Sequence, residues 1–528
     1  MGVDGGSGGD DGLDAAEPPL VTPHFWRDSS KHWLTRGVLL RGLGFVDAVA
    51  FWSLYRQMDG LLGSHGILPI AQYLGRLRDV LGGGKAFLEL PSLLFVSSSD
   101  GVMHALCLLG LALSLLAVAG FANAWTMAVI CVVYSSFVHA GQIFYGYGWE
   151  LLMIEAGFLG IFLAPPRGLR TGSPLLPPVA VIWLFRWLTF RVMLGAGLIK
   201  VRGDPCWLAL TCLADHYQTQ PSPNPLSPYF HALPLAAHKV GALFNHLVEL
   251  VAPWGLFGTR RMRLVSGTLI VVFQTILILS GNLAFLNWLT IVVALSAFDD
   301  AAFERILPSR LRARVRERLA RLGDGLAPSL ARRITLRVLV AVIAFLSIFP
   351  VVNMLSPGQA MNQGFEPLNL VNTYGAFGSV GKERYEVILE GTRDDALAGN
   401  AHWEEYDFPC KPGNPYRPHC IASPYHYRLD WQMWFAGFAE SAHDAWFLKL
   451  VYELLRENPD VTALLARDPF RGHPPRYVRA LRYRYRFAPR AAPEFWQREL
   501  LGEYLRPLSK DDSELREFLR RRDWLSDE

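Results

Sequence analysis

The sequence has no Gly-x-x-x-x-Gly-Lys-Ser/Thr loop, no Rossmann glycine pattern and no Gly-x-Ser-x-Gly elbow set between a strand and a helix. Their absence removes the commonest readings as a nucleotide-binding protein, an α/β-hydrolase or a dinucleotide enzyme. Charge is scarce: Asp, Glu, Lys and Arg make up 19% of 528 residues, and a net charge of +4 is too small to imply a nucleic-acid partner. Six cysteines are few for a disulfide scaffold in a chain of this length. The His and Glu spacings match no metal signature, so neither a metal nor a cofactor is expected. The opening MGVDGGSGGDDGLDAAEPP has no basic start and no early apolar run, and so does not read as a cleavable signal peptide. It reads as a disordered cytoplasmic tail over residues 1–35.

What is abundant is apolar: 51% of the chain, with a positive mean hydropathy. That composition belongs to membrane proteins. A span needs roughly 20 mostly apolar residues to cross about 30 Å of hydrocarbon. Candidates lie at 36–55, 101–120, 123–140, 148–164, 177–200, 240–257, 264–280, 283–298 and 334–353. Lys and Arg mark the cytoplasmic side, and residues 299–333 alone contain nine arginines. Alternating outward from that loop, the inside segments hold sixteen Lys and Arg against seven outside. The expected architecture is a polytopic α-helical membrane protein of eight or nine transmembrane helices over 36–353, followed by a C-terminal exoplasmic α+β domain over 354–528. Loops 56–100 and 199–239 would be exoplasmic and the basic loop 299–333 cytoplasmic.

This orientation puts Cys206, Cys212, Cys410 and Cys420 outside, where disulfides persist, and Cys107 and Cys131 within spans. Three pairings of the outer four are possible, the local pairs Cys206–Cys212 and Cys410–Cys420 being the simplest. A Cys206–Cys212 bond would forbid one regular helix there, since six residues rise about 9 Å and a disulfide wants Cα atoms within about 7 Å. The loop that follows, LADHYQTQPSPNPLSPYF, is proline-rich and offers His216, Tyr217, Asn224 and Tyr229 as a candidate recognition element. Farther on, Gly375, Gly378 and Gly381 precede a strand from Arg384 to Glu390, and YVRALRYRYRF alternates as a second strand with Arg482, Arg484 and Arg486 on one face. Between them DWQMWFAGF and AWFLKLVYELLREN have helical spacing but are too short and charged to span.

Ionisable residues inside spans are either paired or functional. Glu150 and Glu155 enter from the outer side in one candidate span, while Arg186, Arg191 and Lys200 occupy the next. At 1.5 Å per residue Glu155 lies about 10 Å and Arg191 about 13 Å below the outer ends, so they can pair. Glu150 and Lys200 match at the rim, and Asp47 is a rival for Arg191. With His139, His246 and Glu249 in the outer halves of their spans, these residues define a candidate polar pocket that is either a structural ion-pair network or a catalytic or substrate site.

Several of these segments together resemble one family. GQIFYGYGWE, FLGIFLAP, FRVMLGAGLIKVRGDPCW, LTCLADHYQTQPSPNPLSPY, SGNLAFLNWLTIVVALSAFDD, NTYGAFGSVGKERYEVILEGT, YDFPCKPG and IASPYHYRLDWQMWF are similar to the lipase maturation factors. The resemblance implies a membrane factor that helps dimeric lipases of the secretory pathway reach their assembled state in the endoplasmic reticulum, with lipases as exoplasmic clients and the bilayer as the other partner. It carries over no catalytic residue. The lack of any Asn-x-Ser/Thr sequon and the arginine-heavy composition point to a bacterial member, for which the membrane would be the plasma membrane. The alternative is a membrane enzyme: a thiol oxidoreductase using Cys206 and Cys212, or other chemistry in the Glu/Arg/His pocket. Against the former, five residues separate these cysteines and the Cys-x-x-Cys spacing is missing.

Overall fold

The computed structural model describes residues 30–166, 168, 173–322, 325–396, 400–442 and 444–525. Most of the expected N-terminal tail lies outside them. Nine apolar helical segments succeed one another: α1 (Trp33–Leu62), α2 (Asp100–Val118), α3 (Ala124–Ala140), α4 (Gly148–Leu163), α5 (Val179–Gly203), α6 (Leu235–Phe257), α7 (Arg260–Ser280), α8 (Leu286–Ala297, continued past a 117° bend by Asp300–Ile306) and α9 (Leu330–Leu355). The chain is a multi-pass helical membrane protein.

Six of these helices, α1, α2, α5, α6, α7 and α9, are long and apolar enough to cross a bilayer, and α8 makes a seventh if its bent pair is one span. α3 and α4 have 17 and 16 residues, a rise of about 24–26 Å that falls short of about 30 Å of hydrocarbon. The expectation of eight or nine spans thus becomes six or seven by length and composition. The reason is local. The 3-10 turn Gln142–Tyr145 closes α3 early, and Arg428, from far down the chain, hydrogen-bonds the Phe144 carbonyl there at 2.8 Å.

The helices start where their orphan N–H groups find acceptors. Asn123 caps α3 through Thr126 N at 2.9 Å, and Ser329 caps α9. α1 is capped from outside its own sequence: the Asp300 carboxylate accepts from Trp33 N, Leu34 N and Thr35 N at 2.8–3.2 Å. α5 is the axle of the bundle, with 83% of its apolar window buried, while α2, α7 and α9, at 28% each, form the rim. α6 is irregular. A π turn, Leu247–Val251, carries Glu249, and a 3-10 stretch with Pro253 follows it.

The C-terminal region contains strand β1 (Arg384–Thr392), strand β2 (Glu404–Glu405), helices α10 (Arg428–Ala436) and α11 (Ala445–Leu455), and strands β3 (Tyr477–Phe487) and β4 (Trp496–Leu508). The antiparallel sheet runs β2-β1-β3-β4, with Arg384 opposite Tyr485 and Thr392 opposite Tyr477. The period-two pattern of β1 divides its side chains between two clusters. Val387 and Leu389 join Phe447 and Leu450 of α11 in the main core, whereas Ile388 packs with Tyr485 and Trp496 on the other face. The arginines of β3 differ in their partners: Arg484 reaches Glu383 and Glu499 at 2.8 and 2.6 Å, Arg482 donates to the Gly437 carbonyl, and Arg486 is exposed.

One hydrophobic core runs from the helical bundle into this sheet. Glycines make the join possible. A Cβ on Gly60 of α1 would overlap the Asp460 carbonyl oxygen, one on Gly195 of α5 that of Tyr374, and one on Gly203 that of Gly378.

Candidate functional site

The seam between the bundle and the C-terminal region is where the buried charges meet. Glu150 stands in the first turn of α4 and is fully buried. Its carboxylate accepts from Arg428 Nη1 at 2.6 Å, from Trp149 Nε1 at 3.1 Å and from the Tyr134 hydroxyl of α3. The Arg428 guanidinium also sits 3.6 Å from the Tyr145 ring centroid. Beside it His426 is enclosed by Trp149, Tyr147 and Trp431, with ring centroids 5.1, 5.6 and 5.6 Å away. Burial and then the Arg428 cation hold its imidazole pKa well below the ordinary value, so it is neutral. The His426 carbonyl accepts from Ser53 Oγ and Gln57 Nε2 of α1, at 2.8 and 2.7 Å.

One turn deeper, Glu155 pairs with Arg191 of α5. The strand-like segment 372–374 completes the pair: Tyr374 donates its hydroxyl to Glu155 at 2.7 Å, Asn372 N donates at 3.1 Å, and Arg191 Nη1 donates to the Asn372 carbonyl at 2.7 Å. His139 is likewise claimed by the C-terminal region, its Nε2 lying 2.7 Å from the Pro367 carbonyl. Lys200 takes a third position, 2.6 Å from Glu249 and 2.9 Å from Asn245 Oδ1, with the Trp207 ring centroid 5.0 Å away. His246 Nε2 contacts the Trp207 carbonyl at 3.0 Å. Arg186 is separate from all of these and donates to the Ser296 carbonyl at 2.9 Å. The depth argument paired Glu150 with Lys200; the structure gives Glu150 to Arg428 and Lys200 to Glu249. Asp47, the rival for Arg191, is buried in α1 with Oδ2 unpartnered.

The proline-rich loop follows from Lys200. Cys206 and Cys212 are disulfide-bonded with Cα atoms 4.9 Å apart, and Cys410 and Cys420 likewise at 5.2 Å. The helix breaks between the first two, after the single turn Pro205–Leu208, and Leu210 takes φ +59°. Asp204, Cys206 and Cys212 are a cluster of metal-type donors, but both sulfurs are in the disulfide. Arg384 of β1 clamps the loop by donating to the carbonyls of Gln218, Gln220 and Pro221 while it pairs with Glu386, which also holds Lys411 at 2.8 Å. His216, Tyr217 and Asn224 are therefore buried. Asn224 serves the loop itself by accepting from Leu226 N and Ser227 N. Burial, then the Lys200 charge, lowers the His216 pKa to about 4.

Tyr229 alone of the four faces outward, 56% exposed. It meets the β3–β4 connection, where the Arg490 guanidinium lies 4.7 Å from its ring centroid. Nearby His231 stacks edge-on to Phe487 at 5.4 Å, and His419 bridges Phe487 and Phe495 at 5.3 and 5.8 Å. With Phe495 40% exposed, the loop and the hairpin share an aromatic, cationic surface. Sequence reasoning did not single out Arg428, Arg384, Asn372 or Tyr374 as site residues. The available signal was their position in YHYRLDW, KERYEV and NTYG, where lone polar residues sit among aromatic and apolar neighbours.

Comparison with known proteins bears on this arrangement. Residues 34–305 match the family described as lipase maturation factor transmembrane domain, and residues 370–506 the lipase maturation factor C-terminal domain. Lipase maturation factor 1 of Bos taurus is 46% identical over 93% of this chain and 91% of its own length. The Homo sapiens protein of that name is 44% identical over 93% and 90%. Lipase maturation factor 2 of Homo sapiens is 29% identical over 92% and 84%. No solved structure matches the chain.

Proposed function

The chain belongs to the lipase maturation factor family, and we propose that it is a membrane-embedded maturation factor that assists the folding and assembly of secreted lipases. In this reading residues 36–353 form the transmembrane domain and 354–528 an exoplasmic domain, with loop 299–333 cytoplasmic. The exoplasmic side is the lumen of the endoplasmic reticulum, or the exterior of the plasma membrane in a bacterial cell.

The observation that carries a binding role rather than catalysis is the closure of the seam. A catalytic acid or base must be free to meet a substrate. Glu150, Glu155 and Glu249 each face a cation of the chain itself, which supports a rigid mount for the C-terminal region. The half-exposed surface of Tyr229, Arg490 and Phe495 is the portion of the recognition loop and its neighbouring hairpin left for a client, and aromatic rings with arginine are what interface centres favour. Co-expression with a secreted dimeric lipase tests this. Tyr229→Ala combined with Phe495→Ala is expected to lower active lipase severalfold at an unchanged level of this chain. Undiminished lipase activity would remove this surface as the client site.

A further inference from the structure

Outside the seam, the described residues line an open groove of about 300 Å³ between the central helix and the last span. One wall is Trp183, Leu184 and Trp187 of α5 with Phe257 at the end of α6; the other is Val340, Ile343, Ala344 and Ser347 of α9, a stripe at i, i+3, i+4 and i+7. The first wall is preassembled, since Trp183 stacks on Phe257 at 5.9 Å and Trp187 on Phe190 at 5.4 Å. The gap exists because these large rings face Ala344 and Ser347, which are too small to fill it. Interiors normally close-pack, and an empty apolar slot forfeits dispersion contact along its whole lining.

Its chemistry restricts what fills it. The lining offers one hydroxyl, Ser347 Oγ, which already accepts from Trp187 Nε1 at 2.9 Å and donates to the Ile343 carbonyl at 2.6 Å. Water, which needs two to four polar partners, finds at most the one remaining lone pair of that hydroxyl. Hydrocarbon needs none, and the flanks of α9 that carry the exposed Val338, Val342 and Phe345 put hydrocarbon beside the opening. Positive charge gathers around the turn from α6 to α7. Arg186, one turn from Trp183, has its guanidinium 5.1 Å from that ring centroid. Arg260 and Arg263 follow Phe257 in sequence and share the Asp299 carboxylate, Arg260 Nη2 at 2.8 Å and Arg263 Nη2 at 3.5 Å. The adjacent Asp300 is committed to the backbone of α1. Three guanidinium groups around one available carboxylate complement a phosphate.

We propose that the α5–α9 groove is a binding site for one membrane phospholipid, with an acyl chain between the aromatic wall and Ala344 and Ser347 and the phosphate at the arginines of the α6–α7 turn. The site goes beyond the client-binding role and stands independently of it. It gives α9 a reason to lie where it does: only Leu336, Leu339 and Ile343 of its first seventeen residues are buried in protein. α9 also leads into the C-terminal region, where Asn353 Nδ2 donates to Thr373 Oγ1 at 2.7 Å, so the lipid would steady the helix on which that region hangs.

The test uses the full chain extracted in mild detergent, with bound phospholipid counted by native mass spectrometry and phosphate analysis. The wild-type protein is expected to retain one phospholipid, or to regain one from phosphatidylglycerol vesicles. Ala344→Phe, which fills the slot, should cut retention at least tenfold while leaving the unfolding temperature equal or higher; Val340→Phe serves if the first variant does not fold. Arg260→Gln with Arg263→Gln should weaken phospholipid retention several-fold. A folded wild-type chain that neither retains nor takes up phospholipid would overturn the proposal. So would full retention in the slot-filling variants, because the lipid would then be held by its headgroup at the surface alone.

Discussion

Arg428 is the residue on which most of the seam depends. Its partner carboxylate, Glu150, is fully buried and also faces a tyrosine hydroxyl, so Arg428→Met would strand a charge without water. Breaking such a pair from one side costs about 3–5 kcal/mol, whereas replacing both members often recovers much of it. Thermal unfolding is expected to show a large loss for Arg428→Met and a partial return in Arg428→Met with Glu150→Gln. Equal losses would mean that the pair is not what matters. The buried histidines give a pH prediction. Folding lowers the pKa values of His216 and His419 to about 4, by burial first and then by Lys200 and Arg384 respectively. Between about 6.5 and 4 the unfolded chain binds protons that the folded chain refuses, so stability falls as pH drops through that window. Each imidazole contributes on the order of 3 kcal/mol at most. Asp430 acts the opposite way, its pKa raised by burial to about 6. The net expectation is acid sensitivity that flattens in His216→Gln or His419→Gln, read as melting temperature against pH. At this scale the sequence was partly legible. Depth along two neighbouring helices is enough to place Glu155 beside Arg191, but Glu150 takes its cation from 278 residues away, a distance no local spacing reports.

At the scale of elements, the period-two run 477–487 foretells its strand, and the helical spacing of 430–438 and 445–458 foretells the helices found at 428–436 and 445–455, since each buries a face of its own. Span lengths were less legible. An apolar stretch reads alike whether lipid or protein covers it, and the α3–α4 connection is covered by the C-terminal region, which reaches Phe144 through Arg428 and His139 through Pro367. Glycine gives this scale its sharpest prediction. Gly195→Ala would press against the Tyr374 carbonyl and push that residue from Glu155. Overpacking of this kind costs about 1–3 kcal/mol, so the unfolding temperature should fall by several degrees. Gly75, around which an added Cβ meets nothing, should accept alanine without loss; equal effects at both positions would refute a close-approach role.

For the whole molecule, the shared core, the Arg428–Glu150 pair and the bonds of Asn372 and Tyr374 to Glu155 and Arg191 join the bundle and the C-terminal region into a single folding unit with a seam, rather than two units on a tether. Unfolding followed by probes on either side of the seam should therefore give coincident transitions. The proposed sidedness is testable on the same intact chain, with the free cysteines Cys107 and Cys131 replaced by alanine. Arg490→Cys should then react with a membrane-impermeant thiol reagent from the exoplasmic side, and Arg314→Cys only after the membrane is opened. The reverse pattern would invert the topology.

The class of molecule is settled by composition, because hydrocarbon and water sort residues without regard to their order in space. The family is legible in eight segments that occur together in one chain, and matches along that same sequence show it. What those segments do is fixed in three dimensions alone. Partner choice among buried charges depends on proximity across the fold, and the residues that close the seam, Asn372, Tyr374, Arg384 and Arg428, lie far along the chain from the helices they complete. The proline-rich loop shows the division most clearly. Its composition marks it as rigid, but it is the reach of Arg384 to its carbonyls that buries His216, Tyr217 and Asn224 and leaves Tyr229 to face outward.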